Sequence, residues 1–158
     1  MVKKSAGLLM YRVKENKLEV FIVHPGGPFW KNKDLGAWSI PKGEVEETDS
    51  QNLLETAKRE FKEETGMETQ LSNEKFMPLD SVRLKSGKVI YAWAFEGDWP
   101  GVLMCQTFVN IEYPPRSGKF QKFPEVDKAG FFSTLIAKKK INVAQSAFVD
   151  RLENKLKL

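Results

Sequence analysis

Three carboxylates fall within one turn of a predicted helix: Glu60, Glu63 and Glu64, in the stretch Arg59-Glu60-Phe61-Lys62-Glu63-Glu64. Like charges three and four residues apart repel by roughly 0.2–0.5 kcal/mol per pair on an exposed helix, and more where water is partly excluded. Arg59 reaches Glu63 at the i,i+4 spacing, which leaves Glu60 and Glu64 facing each other with no partner from their own helix. A divalent cation would answer that charge. Hard oxygen ligands suit Mg2+ or Mn2+, which keep several waters and bind substrate phosphates in their remaining positions. The chemistry this turn could carry is phosphoanhydride hydrolysis, and the alternative reading of the same residues is a charged, solvated helix face.

The helix itself is well bounded. Gly66 stands where a left-handed cap would end it, and no glycine or proline interrupts Gln51 to Thr65. Thr48 with Gln51 forms a possible capping box, and Asp49 and Ser50 are also good caps, so the start is expected near Thr48 to Ser50. At about 100° per residue, Leu53, Leu54, Ala57 and Phe61 make one apolar stripe, with Glu60 and Glu64 on its flank rather than opposite it.

These residues resemble the Nudix box, G-x5-E-x7-R-E-U-x-E-E-x-G-U, where U is aliphatic or bulky and apolar. Arg59, Glu60, Phe61, Glu63, Glu64, Gly66 and Met67 occupy its second half, and Gly43, preceded by Pro41 and Lys42, resembles the glycine that opens it. The first half departs from the pattern. Arg59 follows Gly43 by sixteen positions, two more than the box allows, so Asp49 stands at the first glutamate when counted from Gly43 and Gln51 when counted from Arg59. A two-residue insertion after Asp49 accommodates the difference. The resemblance implies an α/β/α sandwich with a mixed sheet and metal-dependent cleavage of a nucleoside diphosphate derivative. It further implies Glu60 and Glu64 as metal ligands, Glu63 as ligand or base, and Arg59 as the residue that orients a carboxylate.

Elements on either side must position that turn. Ser5 to Val13 and Leu18 to His24 are strand-length apolar runs around a polar KENK, and the second alternates little, as a strand covered on both faces would. His24, the chain's one histidine, opens a Pro-Gly-Gly-Pro loop carrying Phe29 and Trp30, which either lines a substrate pocket or is simply turn chemistry. Trp38-Ser39-Ile40 reads as a short strand feeding Pro41-Lys42-Gly43. His24, Trp38, Lys42 and Gly43 are therefore the candidate substrate-binding residues. Phe76 to Leu84 and Val89 to Phe95 flank Lys85-Ser86-Gly87-Lys88 as an antiparallel hairpin, with Tyr91, Trp93 and Phe95 on one face. Thr107 to Tyr113 alternates until Pro114-Pro115 ends it, and Arg116 to Lys122 reads as a basic loop, either solvated or facing phosphates. Phe123 to Phe132 contains the expected last strand. Glu125 at its start is the candidate base outside the helix, with a solvated glutamate as the alternative. Ala144, Phe148, Leu152 and Leu156 recur at i,i+4, as in an amphipathic C-terminal helix.

Composition agrees with one globular domain over residues 1–158. The chain is 41% hydrophobic and 29% charged, with a formal charge of +4, an excess that suits polyphosphate substrates and is too small to point to nucleic acid. The single cysteine, Cys105, excludes an internal disulfide and suits a reducing compartment. No apolar run is long enough to span a membrane and nothing reads as a signal peptide, so a cytoplasmic location is expected. Among hydrolases with this box, the PKGEVEE opening is most similar to those acting on dinucleoside polyphosphates or related diphosphates. Pyrophosphohydrolysis of nucleoside triphosphates or RNA 5' ends is the alternative activity, and binding without catalysis the alternative class. Oligomeric state is not readable from the sequence.

Overall fold

A computed structural model describes residues 2–46 and 52–157. The long central strand β1 (Lys4–Lys14) is buried from Ser5 through Met10 without interruption, because helices cover the sheet on both sides. It pairs parallel with β5 (Val89–Glu96), which pairs antiparallel with β4 (Met77–Arg83). On its other edge β1 meets β2 (Lys17–Pro25) and β3 (Lys42–Glu44), both antiparallel, and β2 continues to β8 (Val126–Ser133). One parallel pair among antiparallel ones makes the sheet mixed, in the order β4-β5-β1-β2-β8 with β3 attached to β1.

Strand alternation divides the core into two layers. Ala6, Leu8, Met10, Phe21 and Phe95 face α1 (Leu53–Thr65) and pack against its Ala57 and Phe61. Leu9, Val20, Ile22, Ile90, Ala92 and Ala94 face the other way, against α2 (Thr134–Lys140) and α3 (Ser146–Leu156), which contribute Ala137, Phe148, Val149 and Leu152. The result is the expected helix-sheet-helix sandwich. The aromatic row of β5 turns toward α1, and its small residues let the other helices approach.

Strands β1 and β2 hydrogen-bond only over Tyr11–Lys14 and Lys17–Val20, and part toward the other end. The segment before α1 fills the gap. Val23 exchanges backbone hydrogen bonds with Ser39 (2.8 and 2.9 Å), Leu8 N–H donates to the Pro41 carbonyl (3.1 Å), and β3 pairs Gly7 with Lys42 and Ser5 with Glu44. A side chain at Gly7 would sit 2.5 Å from the Pro41 oxygen, so the segment closes onto β1 only because that side chain is missing. Ser39 thus joins the sheet through an isolated bridge to Val23, Trp38 bridges Ile141 just past α2, and the strand proper is β3.

Helix α1 ends as its sequence requires, with Gly66 at φ 81° donating its N–H to the Lys62 carbonyl (2.7 Å). Its start differs from the expectation: Asn52 is the cap, its side chain accepting from Glu55 N–H (3.4 Å), while Thr48, Asp49, Ser50, Gln51 and the insertion lie outside the described residues. Two further corrections concern the second half. The basic stretch expected as a loop is partly β7 (Phe120–Pro124), which pairs with β6 (Phe108–Glu112) in a separate two-stranded sheet where alternating Phe120 and Lys122 meet Glu112 and Asn110. Helix α2 was not foreseen, because its seven residues end in three lysines and present too short an apolar pattern. Among the described residues no helix is long and apolar enough to cross a membrane.

Phe61 ties α1 to the sheet. It is 1% exposed and sits edge-on to Phe95 (centroids 5.3 Å) and tilted against Phe21 (6.3 Å). Phe61→Ala is expected to lower unfolding stability by about 3–5 kcal/mol. Urea titration checks this, reading the midpoint at an unchanged slope.

Candidate active site

Glu60 and Glu64 lie on the buried side of α1, 8% and 6% exposed. Thr56, Ala57 and Phe61 are buried on the same helix, so both carboxylates point where the helix meets the sheet rather than into solvent. Glu60 lies against β3. A Cβ on Gly43 would stand 1.9 Å from the Glu60 carboxyl carbon, so this glycine is the floor on which the carboxylate rests. Glu64 accepts the Lys42 backbone N–H (3.3 Å) from the same strand. Arg59 Nη1 donates to Glu60 (3.1 Å) and to Glu63 (3.4 Å), joining two of the three carboxylates from their own helix.

The fourth carboxylate arrives from far along the chain. Glu125 sits between β7 and β8, where its N–H donates to the Thr107 carbonyl (3.0 Å) and its carbonyl accepts from Gly26 N–H (2.9 Å). Its side chain shares a cavity of about 150 Å³ with Lys42, Glu64, Ser39, Pro25 and Val126. The root of the β6–β7 hairpin is fastened to the helix as well. Gln106 N–H donates to the Glu63 carbonyl (2.6 Å) and Met104 N–H to that of Thr65 (3.2 Å), so the last turn of α1 and the approach to Glu125 are held together.

The electrostatics follow from burial. Desolvation pushes the Glu60 carboxyl up to about 7, with Glu63 and Glu125 adding to the rise and Arg59 opposing it. Desolvation likewise pushes Glu64 up to about 8, where Glu125 and Glu60 add and Lys42 opposes. Glu125 is raised by burial and then by Glu63, and burial lowers the Lys42 ammonium despite the attraction of Glu64. The carboxylates carry more negative charge than Arg59 and Lys42 balance, and protons make up the difference.

That imbalance is the test of whether a metal fits. Among the described residues no group of three His, Cys, Asp or Glu side chains is placed to hold a metal ion. A closed cage is not what Mg2+ requires, since it binds through one or two carboxylates and completes its shell with water and substrate phosphates. Glu60 and Glu64, both hard oxygen donors whose ionisation burial opposes, fit it.

Two candidates drop out of the site. His24 is fully buried, with Nδ1 2.8 Å from Asp127 Oδ1 and Nε2 2.6 Å from the Lys33 carbonyl oxygen, so both ring nitrogens are occupied. Trp38 is 5% exposed in the layer away from α1, donating to Asp34 (2.7 Å) and stacked edge-on between His24 and Phe132. Neither can touch a ligand at the carboxylates. Ser39 also lines the cavity, held by Gln145 from beyond α2 (3.2 Å). No local signal marks that contact across more than a hundred residues.

Two outcomes follow. A carboxyl whose folded pKa lies above its ordinary 4.5 binds more protons folded than unfolded, so metal-free stability falls as pH rises from about 4.5 to 8. Melting curves across that range should show a shallower decline for Glu64→Gln, and Mg2+ should raise the wild-type melting temperature more at pH 8 than at pH 5.5. Gly43→Ala should displace the Glu60 carboxylate while barely altering stability, because the flexible end of a side chain can yield. Metal titration monitored calorimetrically should then find weaker binding in a fully folded protein.

A family model described as the NUDIX domain matches residues 1–134. Among solved structures, the Caenorhabditis elegans Ap4A hydrolase binary complex is similar at 20% identity and a TM-score of 0.65, covering 99% of this chain and 98% of that one. The NUDIX domain of Shewanella oneidensis NrtR complexed with ADP ribose is similar at 15% identity and a TM-score of 0.68, covering 99% and 89%. The MutT protein from Methanosarcina mazei Go1 follows at 17% identity and 0.59, covering 99% and 96%. No match was found among curated proteins.

Proposed function

The chain belongs to the NUDIX family of hydrolases, and from that premise we propose that it cleaves a phosphoanhydride bond in a nucleoside diphosphate derivative, with a dinucleoside polyphosphate as the favoured substrate. The observation that carries this reading is the convergence of Glu60 and Glu64 with Lys42 and Glu125 at the border of α1 and β3. Ap4A joins two nucleosides, and ADP ribose joins a nucleoside to a ribose, each through phosphoanhydrides, which supports that bond as target.

Glu60 and Glu64 would hold Mg2+ or Mn2+, and Glu63, paired with Arg59, is the alternative base. A bound ion of this kind neutralises phosphate charge and acidifies water, which lowers the barrier to attack at phosphorus. The protein's own part is placement and proton transfer. Arg59 orients Glu60 and Glu63 through charge-assisted hydrogen bonds. Gly43 admits the Glu60 carboxylate, and the Lys42 amide steadies Glu64. The Lys42 side chain, in the cavity with Glu64 and Glu125, supplies positive charge for a phosphate oxygen.

Glu125 is the proposed general base. Carboxylates that hold a cation lose basicity to its charge, whereas Glu125 reaches the cavity from another element and burial raises its pKa above the ordinary carboxylate range. A carboxylate made more basic in this way accepts a proton from attacking water more readily.

A panel of nucleoside diphosphate derivatives and nucleoside triphosphates, assayed with Mg2+ and with Mn2+, tests the activity through its products. Release of two nucleotides marks dinucleoside cleavage, and release of pyrophosphate the alternative triphosphatase. Nucleotide binding without turnover would instead make the chain a binding domain. Within an active enzyme, Glu125→Gln should lower kcat by 10²–10⁴-fold with metal affinity nearly unchanged, and a rate within about threefold of wild type would return the base role to Glu63.

A further inference from the structure

A second cavity, of about 540 Å³, opens at the end of the sheet where β1, β3, β4 and β5 meet, and Lys3, Glu44, Arg83, Ser86, Gly87 and Lys88 line it. Its charges do not balance. Three cations face one carboxylate, and that carboxylate is engaged, because Glu44 pairs with Lys88 (2.9 Å), a contact that holds its carboxyl below the ordinary range. Lys3 and Arg83 are exposed, and among the described residues neither forms an ion pair within 4.0 Å. They come from the approach to β1 and from β4, and Lys88 from the turn before β5, so three separate parts of the sheet present positive charge to one concavity.

The cavity is continuous in charge with the carboxylate site. Lys42 and Glu44 alternate onto the same face of β3, and the charge on Lys42 is felt by Glu64 and Glu60 on one side and by Lys88 and Glu44 on the other. Register gives the span. Lys42 lies opposite Gly7, and Lys3 comes four residues earlier on the same chain, about 13 Å at roughly 3.3 Å per residue. A single anhydride does not bridge that distance, whereas a chain of linked phosphates reached by lysine and arginine side chains does.

We propose that this cavity binds the far phosphates of a nucleoside polyphosphate whose scissile anhydride lies at the Glu60–Glu64 turn. The inference rests on the phosphoanhydride hydrolase reading and narrows it, because a substrate with a longer phosphate chain gains contacts that a plain diphosphate cannot reach. Arg83 matches phosphate oxygens with paired N–H donors, and Lys3 and Lys88 add point charges on either side.

Two measurements test it with the full chain. Calorimetric titration of metal-free protein with inorganic tripolyphosphate reads the cavity directly, and steady-state kinetics with a dinucleoside tetraphosphate and with ADP-ribose reads its use. For K3Q/R83Q, the tripolyphosphate Kd and the tetraphosphate KM should each rise about tenfold, while the ADP-ribose KM stays within about twofold. The matched variant K17Q/K155Q removes the same charge from exposed positions elsewhere and should shift neither ratio. Equal losses in both double variants, or a tetraphosphate to ADP-ribose KM ratio unchanged in K3Q/R83Q, would overturn the proposal. If no nucleotide is turned over at all, the hydrolase reading fails, and the tripolyphosphate titration still decides the cavity.

Discussion

Two carboxylates buried on one helix face, with too little fixed positive charge beside them, are the constraint around which this molecule is arranged. Taking an ionised group out of water costs several kcal/mol even after relaxation, and it is recovered only by good partners. Glu60 and Glu64 have partial ones, a shared guanidinium for the first and a single backbone N–H for the second. Protons complete the balance, which is why both groups titrate near neutrality instead of near 4.5. A purely structural helix would place leucine or alanine at those positions, as it does at Leu53 and Ala57. The two carboxylates make the helix–sheet interface less stable than an apolar pair would.

Such a site needs backbone close at hand, and the parting of β1 and β2 provides it. Had the two strands paired along their whole length, no main-chain N–H from a third segment could reach Glu64. The gap admits residues 39–44, and the two close approaches along it, at Gly7 and Gly43, fall where a side chain is absent. The first sets the segment against β1, and the second sets the helix carboxylate against the segment. Packing of Phe61 between Phe21 and Phe95 then fixes the helix at the height this stack demands.

Much of this was legible in the residues. The apolar stripe, Gly66 and the spacing of Arg59 to Met67 mark the helix and its carboxylates, because local periodicity and capping act within a few residues. The paired strands around Gly87 and the helix carrying Phe148 and Leu152 were legible for the same reason. What escaped depends on contacts between distant residues. His24 and Trp38 sit beside the box in sequence and in candidate roles, but the fold turns them into the opposite layer, where Asp127 and Asp34 engage their polar atoms. Strand β7 was hidden because its register is set by β6 rather than by its own short Phe-Gln-Lys-Phe-Pro stretch.

The β6–β7 hairpin closes on itself at its base, where Glu125 N–H meets the Thr107 carbonyl. Everything between those residues is a loop whose ends are already joined, and the entropy of closing a loop rises only slowly with its length. Adding or removing residue pairs at the tip around Ser117 would preserve the alternation of both strands and leave Glu125 where it is. The hairpin is therefore a part of this chain whose length can change without moving Glu125, and a natural position for grafting a reporter peptide.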